Sequence, residues 1–253
     1  DFTYVDSEYN KFKSSTQKEV NYLVKEFECK KSADAYTRSL TAKTGVLDCT
    51  KLHTYKYNED LFKKVNVLPD GKNHGLIFIL DWSGSMSSTL LSTIKQLFNL
   101  IWFCKKVNIP FDVYAFSNNY IENRHTEQRY NPRPKFEDIE YQDVRDNMLV
   151  VSPDFNLLHF FTSDTRKAEL DKQMLSLYRI AYSCSLNANY EPPFNFSLSG
   201  TPLNEAIVCL HQIIPQFKMK NKVQKVNTVI LTDGEANPLP VFRTCDYMGG
   251  KMS

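Results

Sequence analysis

Long apolar runs are missing from this sequence, since none approaches the roughly 20 residues that an α-helix needs to cross a bilayer. A charged-then-apolar leader is missing as well. Hydrophobic residues make up 42% of the chain and charged residues 24%, which is ordinary for a globular protein. We therefore expect a cytoplasmic protein whose 253 residues form one large domain, or one domain with a substantial extension.

The chain also lacks an excess of either charge and lacks paired cysteines. Its 31 basic and 29 acidic residues leave a net charge of +2, which gives no electrostatic reason to expect nucleic acid or an anionic membrane as a partner. No two cysteines have the Cys-x-x-Cys spacing, and no histidine is placed to complete a zinc site. The six scattered cysteines are Cys29, Cys49, Cys104, Cys184, Cys209 and Cys245. A zinc protein and a disulfide scaffold are therefore both disfavoured.

Two catalytic motifs are absent. Because the chain has no Gly-x-x-x-x-Gly-Lys loop to hold phosphates, any ATP hydrolysis must come from a separate subunit. Ser83 and Ser85 are not part of a Gly-x-Ser-x-Gly turn, which disfavours a Ser-His-Asp hydrolase. We therefore expect no active-site residues of either enzyme class.

The most informative segment that is present joins an apolar run to a polar turn. Leu76 to Leu80 are apolar without a break, which predicts a strand buried on both faces, as in parallel sheets. Asp81, Ser83 and Ser85 follow at alternate positions, at the carboxyl end of that strand, where open α/β sheets bind their ligands. A carboxylate and two hydroxyls are hard oxygen ligands, which suit Mg²⁺ or Ca²⁺ better than Zn²⁺.

Two later segments supply further oxygen atoms. Thr201 precedes Pro202, and Pro is favoured at the first helical position, so Thr201 is the predicted N-cap of a helix whose apolar stripe begins at Leu203. An apolar strand from Asn227 to Leu231 then leads to Asp233. We predict that five oxygen-bearing side chains from three segments meet at one edge of a sheet.

Asp81-x-Ser83-x-Ser85, then Thr201, then Asp233 resemble the metal-ion-dependent adhesion site (MIDAS) of von Willebrand factor A (VWA) domains. The resemblance implies that Ser83 and Ser85 bind Mg²⁺ directly and that Thr201 joins them directly or through water. It implies that Asp81 and Asp233 act mainly through bound waters, and that one coordination position accepts an acidic group from a partner. Ca²⁺ or Mn²⁺ is an alternative ion for the same oxygen atoms.

A narrower resemblance extends over nearly the whole chain. The segments at Thr44–Leu52, Leu80–Met86 and Gly200–Ala206 are similar to the cobaltochelatase subunit CobT, most of all to short phage-encoded CobT-like proteins. Lys56–Lys63 resembles the segment before the VWA domain in that group. The resemblance implies a subunit that works with a ring-forming AAA+ ATPase of the CobS or MoxR type, in cobalt insertion for cobalamin biosynthesis or in protein remodelling. If a phage encodes the chain, the expected compartment is the host cytoplasm.

The predicted fold is a Rossmann-like α/β VWA domain at residues 72–253, with a mostly parallel central sheet flanked by helices. A mainly helical extension at residues 1–71 precedes it, with a helix from Ser15 to about Leu40 that Ser14 or Ser15 caps. We expect an insertion around residues 118–155, where the connection exceeds a usual hairpin loop, and an incomplete carboxyl end. The further predicted elements are a strand at 111–116, an antiparallel edge strand at 157–161 and a helix at 165–183.

Two functions from different classes are considered for these residues, and the resemblances imply the first of them. The first is a non-catalytic, metal-dependent protein-binding subunit of a chelatase-like complex, forming a hetero-oligomer through an acidic residue of the ATPase at the metal. The alternative is a Mg²⁺-dependent phosphohydrolase of the haloacid dehalogenase type, which needs Asp-x-Asp with the second carboxylate as general acid. Here Ser83 stands in that second position, and no Lys lies beside Asp233. Trp82 and Met86 are predicted to shape the turn and not to bind the metal.

Overall fold

The computed structural model describes residues 2–38, 40–47, 49–54, 56–57, 62–67, 73–118, 149, 151–152, 155–185, 192–193, 196–239, 241, 245–247 and 250–252. The helices are α1 (Thr3–Arg38), α2 (Leu90–Lys106), α3 (Lys167–Ser183) and α4 (Leu203–Asn221). The strands are β1 (Leu40–Leu47), β2 (Phe62–Val67), β3 (His74–Asp81), β4 (Phe111–Asn118), β5 (Phe155–Thr162), β6 (Lys225–Leu231), β7 (Cys245–Tyr247) and β8 (Gly250–Met252). The predicted insertion at 118–155 falls almost entirely on residues outside the described ranges.

Within the residues that the structure describes, four strands form the central sheet, in the order β5-β4-β3-β6. β3 runs parallel to both of its neighbours, so that Leu80 pairs with Ala115 on one side and with Leu231 on the other. β5 runs antiparallel to β4 at one edge of this sheet. The predicted α/β class and the predicted strands are therefore confirmed, and the mixed sheet with the four helices of the described ranges is compatible with a Rossmann-like arrangement. Assignment to the VWA family stays a prediction.

Helices cover both faces of the central sheet. Side chains alternate between the two faces along β3, so Phe78 and Leu80 pack with α2 and α3, whereas Ile77 and Ile79 pack with α4. A strand that is buried on both faces can be apolar without a break, which explains the run that ends at Leu80. By the same alternation, Asp81 lies on the face that α4 covers.

Helix α1 forms an outer layer on α2 and α3. Val5, Tyr9 and Val20 lie on one side of this helix and are buried in the same apolar cluster as the helices beneath. Because these buried residues begin at Val5, the helix starts at Thr3, and the predicted start near Ser15 is wrong. The hydroxyl of Ser15 does not cap a helix, because it donates to a backbone carbonyl of the preceding turn inside α1.

An ion pair fixes the amino end of α1 to α3. Arg179 donates from Nε and Nη2 to the two carboxylate oxygens of Asp6, at 2.8 and 2.6 Å. This charged hydrogen bond is the main reason why the pKa of Asp6 lies below its ordinary value. Because both side chains are about one-third exposed, the pair contributes only about 0–1 kcal/mol, and the apolar packing of α1 contributes more to stability.

The region after α1 contains two strands. β1 and β2 pair antiparallel as a separate two-stranded sheet, with Leu40 opposite Val67. The first 71 residues therefore contain the strands β1 and β2 in addition to the predicted helix. A domain boundary at residues 71 and 72 stays a prediction.

Gly75→Ala is expected to lower the free energy of unfolding by about 1–3 kcal/mol, because the added methyl group overpacks a closed space. A Cβ at Gly75 overlaps Cε1 of Phe217, and it lies 3.3 Å from Cγ2 of Val223. Urea unfolding measures the change. Gly84→Ala is the matched control, since the atom nearest to its added Cβ is 3.8 Å away, and equal losses in both variants contradict this packing.

Candidate metal centre

Asp81 and Asp233 reach the same edge of the sheet. Asp81 is the last residue of β3, and Asp233 follows the end of β6, which is the parallel neighbour of β3. The intervening Thr232 connects the two segments, since its hydroxyl donates to Oδ2 of Asp81 at 2.6 Å. The pairing of two parallel strands therefore brings two carboxylates from distant parts of the sequence together.

Ser83 and Ser85 bring their hydroxyl groups to the same edge. Ser83 is extended and precedes a 3₁₀ turn at Gly84–Ser88, which the buried side chain of Met86 anchors. The two Oγ atoms are 3.0 Å apart, and Oγ of Ser85 donates to Oδ1 of Asp233 at 2.9 Å. Two hydroxyls and a carboxylate thus form a continuous row of oxygen atoms, which runs from the buried Ser83 to the exposed Asp233.

Asp81 provides a carboxylate that the protein alone leaves incompletely paired. Its side chain is fully buried, and Oδ1 has no hydrogen-bond partner in the described part of the chain. An unpaired carboxylate oxygen in the interior costs several kcal/mol unless a positive group compensates it. A hard cation at this edge is such a group, so the residues present fit the metal that the sequence predicts.

The segment that ends at Thr201 is hydrogen-bonded to the same turn. Ser199 pairs with Ser83 as a parallel bridge, and the Gly84 N–H donates to the Ser199 carbonyl at 2.8 Å. Thr201 lies two residues after Ser199 and is half-buried. The structure thus joins Ser83, Ser85 and Asp233 through side-chain hydrogen bonds, and Thr232 links Asp81 to the segment that carries Asp233. Thr201 is connected to this turn through the backbone bonds of Ser199.

The predicted helix cap at Thr201 is wrong. α4 begins at Leu203 with Pro202 in the capping position, and no side chain caps it. The Thr201 carbonyl instead accepts hydrogen bonds from the N–H groups of Leu203 and Asn237, at 2.9 and 3.0 Å. The bond from Asn237 comes from the loop after β6, which local sequence patterns do not reveal.

Sequence patterns did not indicate three further polar residues near this edge. Thr232 orients Asp81, and its position directly before Asp233 was the available signal. Asn118 ends β4 and approaches Gly200 so closely that a Cβ there lies 2.6 Å from its Nδ2. Its buried Oδ1 has no hydrogen-bond partner among the described residues. Glu205, in the first turn of α4, is 2% exposed, and its Oε2 likewise has no partner in those ranges. The described edge is therefore richer in buried acceptor oxygens than the motif alone indicates.

Another polar cluster lies at the opposite end of the sheet. Nε2 of His159 is 3.8 Å from Oδ1 of the buried Asp112, and its ring stacks on Tyr114 with the centroids 4.5 Å apart. Burial first, and the Asp112 charge second, raise the pKa of Tyr114 to about 12. Because β4 separates Asp112 from the carboxyl edge, this cluster is not part of the candidate metal centre.

A soft-metal site is not seen in the described residues. Within those ranges, no three His, Cys, Asp or Glu side chains come together as a metal-binding group. Burial raises the pKa of Cys104 to about 12, as expected for a core thiol. The candidate centre differs because it combines two carboxylates with hydroxyl groups, which are donors for hard cations.

Comparisons of the chain with family models, with curated proteins and with solved structures give no match. In the ranges that the structure describes, no helix is long and apolar enough to span a membrane. The fold and the site define an α/β protein with a mixed central sheet and a cluster of side-chain oxygens at the carboxyl edge of its parallel strands.

Proposed function

We propose that this protein is a Mg²⁺-dependent protein-binding subunit with a MIDAS-type site. It resembles CobT and works with a AAA+ ATPase of the CobS or MoxR type. The observation that supports the proposal is the oxygen row of Ser83, Ser85 and Asp233 beside the unpaired, buried Oδ1 of Asp81. Hydroxyl and carboxylate oxygens in this arrangement suit a hard divalent cation.

The roles proposed for the five residues are those that the MIDAS resemblance implies. Ser83, Ser85 and Thr201 hold the ion through hydroxyl oxygens, while Asp81 and Asp233 balance its charge, mainly through water. Bound Mg²⁺ supplies a positive charge and a coordination position for a Glu or Asp of the partner. Asp81 and Ser83 are buried, whereas Ser85 and Asp233 are exposed, so the acidic group of the partner approaches from the side of Ser85 and Asp233.

The chain is proposed to be a non-catalytic subunit of its complex. It has no phosphate-binding loop of the Gly-x-x-x-x-Gly-Lys type, so ATP hydrolysis is assigned to the ring-forming partner. Metal-dependent contact then couples that ATPase to a task, which is cobalt insertion or the remodelling of a protein. Cobalt is cargo in the first case and is distinct from the resident Mg²⁺.

Asp81→Ala is expected to abolish capture of the ATPase. A purified AAA+ ATPase of the CobS or MoxR type should co-elute with the wild-type chain in Mg²⁺ and separate from it in EDTA, because the metal bridge to its acidic group is lost. Size-exclusion chromatography measures the complex, and circular dichroism checks that the variant is folded. Co-elution that survives both EDTA and the substitution shows that this site is not the contact.

A further inference from the structure

Trp82 stands between two predicted metal-site residues but faces away from them. Its ring is fully buried in the apolar cluster on the α2 and α3 side of the sheet, whereas Asp81 lies on the α4 side. The ring packs edge-to-face on Phe160, with the centroids 5.3 Å apart. Its backbone N–H donates to the Phe116 carbonyl and thus continues the pairing of β3 with β4. A direct contact with metal is therefore excluded for this side chain.

The same residue is tied to the segment that carries Thr201. Nε1–H of Trp82 donates to the Phe196 carbonyl at 2.8 Å, and the Ser199 N–H donates to the Trp82 carbonyl at 3.3 Å. The Gly84 N–H completes the set by donating to the Ser199 carbonyl at 2.8 Å. Of these three hydrogen bonds, only the one from the indole involves a side chain. It holds Phe196, at the start of the segment, while the two backbone bonds hold Ser199, at its end.

We propose that Trp82 is a positioning residue that holds the Phe196–Ser199 segment against the metal turn and so keeps Thr201 in place for the cation. This inference rests on the proposed function, since it concerns the affinity of the same site. Fixing the segment before the ion arrives removes an ordering cost that binding otherwise has to meet. The loss of one buried hydrogen bond is therefore expected to weaken Mg²⁺ binding by about three- to tenfold.

The chain offers a matched pair of substitutions, because it has two tryptophans. Trp82→Phe removes an indole N–H that has an acceptor, whereas Trp102→Phe removes a buried indole N–H that has no acceptor in the part of the chain that the structure describes. Both rings belong to the same apolar cluster, so both variants lose comparable packing. Calorimetric titration with MgCl₂ should show weaker binding for Trp82→Phe and unchanged binding for Trp102→Phe. Equal affinities in the three proteins overturn the inference, and so does an equal loss in both variants.

A measurement on the wild-type chain makes the test independent of how well either variant folds. If ordering of the segment favours Mg²⁺ binding, then Mg²⁺ binding must favour ordering of the segment to the same extent. Mg²⁺ should therefore slow hydrogen exchange at the Trp82 indole N–H. The Trp102 indole N–H should not respond, and an unchanged Trp82 signal in saturating Mg²⁺ contradicts the inference.

Failure of the proposed function gives a different result. A wild-type chain that takes up no Mg²⁺ overturns the proposed metal site and the metal part of this inference with it. Amide exchange at Ser199 and Gly84 in metal-free protein then decides whether Trp82 holds the segment. Faster exchange in Trp82→Phe than in Trp102→Phe supports that role, and equal exchange overturns it.

Discussion

Asp81→Asn is expected to weaken Mg²⁺ binding by about 10- to 100-fold while leaving the metal-free chain at least as stable as the wild type. The two effects have one cause. Asp81 is fully buried and its Oδ1 has no hydrogen-bond partner in the described residues, so its charge costs folding free energy when no cation is bound. An amide keeps an acceptor for the Thr232 hydroxyl and removes the charge that the metal requires.

Titration calorimetry and thermal unfolding with and without Mg²⁺ check both halves of this prediction. At a hundredfold excess over its dissociation constant, Mg²⁺ should stabilise the wild-type chain by about 2.7 kcal/mol, and this gain should be largely absent in Asp81→Asn. Asp112→Asn is the control, because it neutralises a buried carboxylate at the opposite end of the sheet. The proposed centre is contradicted if Asp112→Asn loses as much Mg²⁺ affinity as Asp81→Asn. It is also contradicted if Asp81→Asn binds Mg²⁺ as tightly as the wild type.

Local sequence patterns were sufficient to predict the central strands and to place Asp81 and Asp233 at the ends of two of them. The apolar run before Asp81 indicates a strand that is buried on both faces, and β3 has this character. Because β3 and β6 are parallel neighbours, the residues at their carboxyl ends share an edge, which places Asp81 and Asp233 on the same side of the sheet. The α/β class could therefore be predicted, whereas membership of a family could not be established from the fold.

The errors arose where a distant segment decides a local structure. Thr201 has the sequence of a helix cap, yet its carbonyl is hydrogen-bonded to Asn237, and the helix starts beyond Pro202. Serine is a common helix-capping residue, yet α1 extends past Ser15 to Thr3, because Val5 and Tyr9 are buried in the core. Thr232 could not be identified as the partner of Asp81 before the strand pairing was known. For Thr201 and Ser15, tertiary contacts outweigh a local capping preference of about 1 kcal/mol.

The second large effect is expected in the core that α1 shares with α2 and α3. Tyr9→Ala should lower the free energy of unfolding by about 3–5 kcal/mol, because it removes a buried ring and leaves a cavity. The Tyr9 ring is 3% exposed and contacts Phe98 of α2 and Tyr178 of α3, with centroid distances of 6.3 and 5.2 Å. Urea unfolding followed by circular dichroism measures the loss, and a small loss contradicts a structural role for α1.

Tyr9→Phe separates the ring from its hydroxyl group. The Tyr9 hydroxyl is buried without a hydrogen-bond partner in the described residues, so its removal should leave stability unchanged or raise it. Burial, with a smaller contribution from the Asp171 charge, raises the pKa of Tyr9 well above its ordinary value of 10.0. The folded chain therefore retains this proton where the unfolded chain loses it, so the wild type should lose stability as the pH rises above 10. Tyr9→Phe should lose less over the same pH range, and identical pH profiles show that Tyr9 does not titrate differently in the folded chain.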